Sequence, residues 1–182
     1  MTPTLRDRLR NGTVSQHARV DRLFSRFDLG TGTGLVLFYR ATLAATGAVA
    51  CASGPHRAEA ERLRDETIEA LAGDLADLGG DPAPAPRAEA LDATAVYYVL
   101  LGSRLGKRLL ERRWRMGAAA AGPARYFALP DRKGDWRDLC RELSGRPARG
   151  APADTILRDA DRLFTIFADA AQTVIAEEPL HV

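Results

Sequence analysis

The sequence of 182 residues lacks an excess of charge of either sign: 26 basic residues stand against 24 acidic ones, a net charge of +2. Bulk charge therefore marks neither a nucleic-acid nor a membrane-surface protein, and any basic partner site has to be local. Long hydrophobic runs are missing too. The longest low-charge stretch, residues 41–54, is too short and too rich in Ala, Gly and Thr to span a bilayer. The opening MTPTLRDRLRNGT has charges but no apolar run behind them, unlike a secretory signal or a transit peptide. The expected address is the cytoplasm, with no membrane partner. Cysteine is scarce: Cys51 and Cys140 show no CxxC or metal-type spacing, so buried free thiols are expected in place of a disulfide or a zinc site. Two-residue alternation bounded by turn signals is absent as well, and no sheet is expected.

What is present is helical periodicity in a chain with 46% hydrophobic residues, enough for one domain over residues 1–182 with its own core. Leu5, Leu9, Thr13, His17, Val20, Phe24 and Phe27 follow one helical stripe, which carries His17 inward. DLGTGTG breaks that helix and LVLFYRATLAATGAVACA resumes a buried one. A third helix opens near Pro55 and runs to Gly79, and GGDPAPAPR is a rigid connector. Residues 88–114 read as one long helix with two interior glycines. A loop with an aromatic pair, a short helix WRDLCRELSG and a last helix opening near Asp154 or Thr155 complete the chain. The fold class is all-α, an irregular helical bundle.

Of three histidines, His17 alone sits on a strongly patterned face, while His56 and His181 read as loop and tail residues. A lone histidine on an apolar stripe is more often a satisfied core residue than a ligand. The glycines of VLLGSRLGKRLL add to it. Gly102 and Gly106 lie four apart on one helix face, and each costs about 1 kcal/mol of propensity relative to alanine. Such a pair clears space, either for a neighbouring helix or for a flat ligand against the backbone. An inward imidazole on one helix and a cleared face on another are what a heme sandwich needs.

LRNGTVSQHARVD (residues 9–21) resembles the opening of the heme oxygenase family, in which a basic residue, a threonine and the iron-ligating histidine recur at these spacings. YYVLLGSRLGKRLL (residues 97–110) resembles the distal helix of bacterial members, especially those associated with phytochromes. PARYF, the tryptophan of GDWRDLCREL and DADRLFTIF follow in the family's order, so the resemblance covers nearly the whole chain. It implies a heme clamp between a proximal N-terminal helix and a glycine-containing distal helix. His17 is then the iron ligand, Gly102 and Gly106 lie against the distal heme face, and Arg10, Tyr97, Arg137 and Arg141 hold the propionates. Ser103 occupies the position of an acidic residue that organises distal water in the mammalian type.

The implied activity takes heme as both cofactor and substrate. With O2 and electrons from a donor such as a ferredoxin or a reductase, it yields biliverdin, carbon monoxide and ferrous iron; a bacteriophytochrome is a fitting biliverdin acceptor. The chain departs from the bacterial pattern at Leu101, where relatives carry an acid, and at Lys107, where they carry a further glycine. Lys107 is expected to snorkel from the distal face to water or a propionate. Three other readings compete. The first is a heme sensor or carrier that does not turn over. A dimetal helical oxidase is the second, disfavoured because no paired ExxH is present. The third is a helical interaction module whose basic run, from Arg104 and Lys107 through Arg115, meets an acidic partner. Aromatic interleaving of the kind single-strand nucleic-acid binding needs is missing from that run.

Overall fold

The computed structural model describes residues 3–84 and 87–177; His181 lies outside them. Eight α-helices, among the described residues, are joined by one small parallel sheet. Helix α1 (Leu5–Gly12) opens on a capping box, the Thr4 hydroxyl accepting from the Asp7 amide while the Asp7 carboxylate accepts from the Thr4 amide. The expected single N-terminal helix is two. The helix is interrupted at Thr13, which departs from helical dihedrals (φ -103°, ψ 0°) and whose hydroxyl donates to the Leu9 carbonyl at 2.8 Å, and α2 (Val14–Phe24) follows.

Helix α3 (Gly32–Gly47), capped by the Thr31 hydroxyl, is buried along most of its length and packs between α4 (Arg57–Asp77) and α8 (Ala151–Glu177). It stops short of the expected end. Val49–Cys51 forms β1, which pairs in parallel with β2 (Glu89–Leu91), Val49 opposite Glu89 and Cys51 opposite Leu91. This corrects the expectation of no sheet, and it shortens the long helix that follows. Asp92 fixes the new start: its carboxylate accepts from the Thr94 and Ala95 amides, while its own amide donates to Asp159 at 2.8 Å. Helix α5 therefore runs Ala93–Arg115.

A 3-10 turn (Ala118–Ala121) and the single-turn α6 (Arg125–Ala128) follow. The fully buried Asp74 carboxylate caps α6, accepting from the Arg125 and Tyr126 amides at 2.9 Å. Helix α7 (Lys133–Ser144) ends at Gly145, and α8 opens at Ala151, earlier than expected. Its first turn closes on the Gly150 carbonyl, and Asp154, expected as a cap, pairs with Arg8 at 2.6 Å instead. Cys51 and Cys140 are buried and free, as expected. No described helix is long and apolar enough to cross a membrane.

Candidate functional site

A cavity of about 910 Å³ lies between α2 and α5, with Phe164 and Phe167 of α8 and Trp136 of α7 along its sides and Phe38 of α3 beneath. Its lining is mostly apolar. The two long walls run side by side in the same sense: Arg113 near the end of α5 donates to the Ser25 and Phe27 carbonyls just past α2.

On the first wall stands His17, the one histidine among the lining residues. Its Nδ1 lies 2.9 Å from the Asp21 carboxylate one turn on, and its ring meets Phe164 edge-on at 5.6 Å. The sequence stripe predicts His17 buried, yet its side chain is 62% exposed and α2 buries no residue at all. The stripe is real: its ends Leu5, Leu9 and Phe27 are buried, and Val20 and Phe24 pack partly against the core while also bordering the cavity.

Tyr98, Gly102, Gly106, Leu109 and Arg113 trace one face of α5 along the opposite wall. A Cβ added to Gly106 would meet nothing within 4 Å, and one added to Gly102 would touch only the Trp136 ring at 3.5 Å. Among the described residues only the Trp136 ring of α7 lies against Gly102 and nothing lies against Gly106, so a close backbone-to-backbone helix crossing does not account for them. Ser103 also lines the cavity, its hydroxyl donating to the Leu100 carbonyl at 2.7 Å.

The four residues expected at the propionates are not brought to this cavity. Tyr97 is a helix position out of phase with the glycines; it is buried, stacks on His56 at 5.3 Å, and burial raises its phenol pKa. Tyr98 takes the cavity position, tilted against Trp136 at 5.4 Å. Burial raises its pKa as well, opposed by the positive charges of Arg6 and Arg10, so Arg10 acts on that end of the cavity through its field. Helix α7 turns Trp136 to the cavity and Leu139 and Leu143 to the core, which leaves Arg137 and Arg141 outside. Arg141 pairs with Asp138 at 2.8 Å on the surface.

The basic run is divided by helix phase. Arg108, Arg112 and Arg113 reach the cavity mouth, but Arg104 and Lys107 are 2% and 3% exposed and belong to the interior. Lys107 does not snorkel. Its ammonium donates to the carbonyls of Tyr126, Phe127 and Leu129, and burial lowers its pKa to about 8. Arg104 points toward α4, donating to the Thr67 hydroxyl at 2.9 Å and the Leu63 carbonyl at 3.3 Å, and burial lowers its pKa also.

Among the described residues no cluster of three or more His, Cys, Asp or Glu could hold a metal ion. Residue patterns alone missed Asp21 and Tyr98, although both were available as positions four residues from His17 and Gly102. Compared with models of known protein families and with curated proteins, the chain matches none.

Proposed function

We propose that the chain is a heme oxygenase: it binds heme between α2 and α5 through His17 and opens the macrocycle to biliverdin, carbon monoxide and ferrous iron. One observation carries the reading. The imidazole of His17 and the side-chain-free face at Gly102 and Gly106 line the same apolar cavity.

The residues present fit the group. A cavity of about 910 Å³ is at the upper end of the range typical for bound cofactors, roughly 300–1,000 Å³. The open space over Gly106 admits a flat ring that any larger side chain would obstruct. Asp21 occupies Nδ1 of His17 and so leaves Nε2 with the lone pair, the arrangement that fixes the tautomer of a metal-ligating histidine. Bound there, heme supplies the redox and oxygen chemistry. The chain's own part is to ligate with His17, orient that ligand with Asp21, and keep water off one side with Phe24, Phe164 and Phe167. Helix α5 limits the room on the other side through its glycine face. Electrons come from an external donor; the exposed Arg108 and Arg112 at the mouth suit an acidic one such as a ferredoxin.

The heme carrier remains the second reading, and the Ser103 hydroxyl favours it, since its proton is spent on the Leu100 carbonyl. One experiment separates the two. Hemin is titrated into the wild type and into His17→Ala, then a reductant is added in air. A Soret band at one equivalent that His17→Ala loses, followed by conversion to a biliverdin spectrum, is the expected result. A Soret band that persists under reductant and air leaves a carrier, and the same spectrum in both proteins overturns the ligand assignment.

A further inference from the structure

Past the glycine face the cavity continues inward to a polar end, bounded by Thr42 and Thr46 of α3, Thr67 of α4, Arg104 of α5 and Tyr126 of α6. The three threonine hydroxyls are already spent, each donating at 2.7 Å to the carbonyl four residues back. Arg104 is different. Its Nη2 is engaged by Thr67 and Leu63, but its Nη1 is buried and has no partner among the described residues. The nearest carboxylate, that of Glu66, lies 3.5 Å from Nη2 and is shared with Arg132, which it meets at 2.7 Å. Lys107, the next buried cation along α5, spends its ammonium on carbonyl oxygens.

Buried positive charge at this end thus exceeds its counter-charge, a costly state for a guanidinium out of water. A second donor lines the same cavity. Burial pushes the Tyr126 phenol up to about 12, so it remains a neutral O–H group throughout the physiological range.

We propose that this inner end is a carboxylate-binding subsite with Arg104 and Tyr126 as its donors. A carboxylate supplies the missing negative charge, matches the planar fork of a guanidinium and accepts from a phenol at the same time. The exposed arginines at the mouth are a weaker attraction, because water screens them. Two sources share this chemistry: a propionate of heme, which rests on the function proposed above, and a free small carboxylate such as formate or acetate.

The test has two arms, run on the wild type, Arg104→Met and Tyr126→Phe. In the first, hemin and hemin dimethyl ester, whose carboxylates are blocked, are titrated into each protein. The wild type is expected to prefer hemin by about tenfold, the worth of a charge-assisted hydrogen bond, and the variants to lose most of that preference. In the second, the melting temperature without heme is measured in formate and acetate against chloride at equal ionic strength. A rise confined to the wild type assigns the subsite to a free carboxylate. Unchanged hemin preference in the variants together with no carboxylate-specific rise overturns the proposal. If hemin does not bind at all, the heme reading fails by itself and the second arm still decides. Tyr126→Phe keeps every backbone bond of α6, so it carries the test should Arg104→Met not fold.

Discussion

Asp21 does for His17 what no other described residue on α2 is shown doing: it takes Nδ1 and leaves one nitrogen for a ligand. Replacing it with alanine is expected to weaken hemin binding by about 10–100-fold while leaving the helix intact, measured by Soret titration. Unaltered affinity in Asp21→Ala would reduce the pair to a surface contact. Lys107 makes the opposite kind of claim, about stability. Lys107→Met strips the donor from the carbonyls of Tyr126, Phe127 and Leu129, and leaving even one such buried group unpaired costs about 1–3 kcal/mol. A denaturant midpoint equal to that of the wild type would mean the α6 turn stands without it. The His17–Asp21 pair is a one-turn spacing that the residue patterns left unread. The role of Lys107 was not legible, because its acceptors lie 19 to 22 residues further on and meet it only when α6 folds against α5.

Helix α5 shows how far periodicity reaches. Its spacing put Gly102 and Gly106 on one face, and both glycines line the cavity. The family resemblance assigned Tyr97 where the cavity takes Tyr98, a step of one residue that turns a side chain by about 100°. The long helices were readable from the apolar stripes, but the break at Thr13, the single-turn α6 in the expected loop, and the helix ends were not. The ends depend on Asp92 being held by Asp159 and on strand pairing between β1 and β2, contacts that join distant parts of the chain. Gly106→Leu tests the face directly. With nothing within 4 Å of the added Cβ, the variant is expected to fold and to gain up to about 1 kcal/mol from helix propensity, yet to lose hemin binding because the new side chain enters the chamber. Unimpaired binding would show that the face is not where the macrocycle lies. The pair Gly30 and Gly117 is of another kind, since a Cβ on Gly117 would come within 2.0 Å of the Gly30 Cα; there glycine serves backbone contact.

Over the whole molecule, the tyrosines set the alkaline limit. Tyr39, Tyr97, Tyr98 and Tyr126 all have pKa values raised above 10.0, with burial the largest cause in each. The folded state therefore keeps protons that the unfolded chain gives up. The resulting stability is intact below about pH 10 and is lost as pH climbs toward the folded value of about 12 for Tyr126. Lys107 works the other way: lowered to about 8 from 10.5, its charged form is penalised by folding, so its contribution improves as pH rises over that interval. Urea midpoints are expected to hold or rise slightly from pH 8 to 9.5 and to fall steeply by pH 11; a midpoint still rising at pH 11 would contradict the buried phenols. The half-buried inner face of α2 bears on cooperativity. Helices α3 and α8 share a core, so their amides are expected to exchange with deuterium through global opening, whereas α2, whose residues are at most partly buried against α8, is expected to open ahead of them. A ligand seated between α2 and α5 covers the surface that Val20 and Phe24 still present to the cavity. Slow exchange should then spread to α2, merging two units that open at different stages into one.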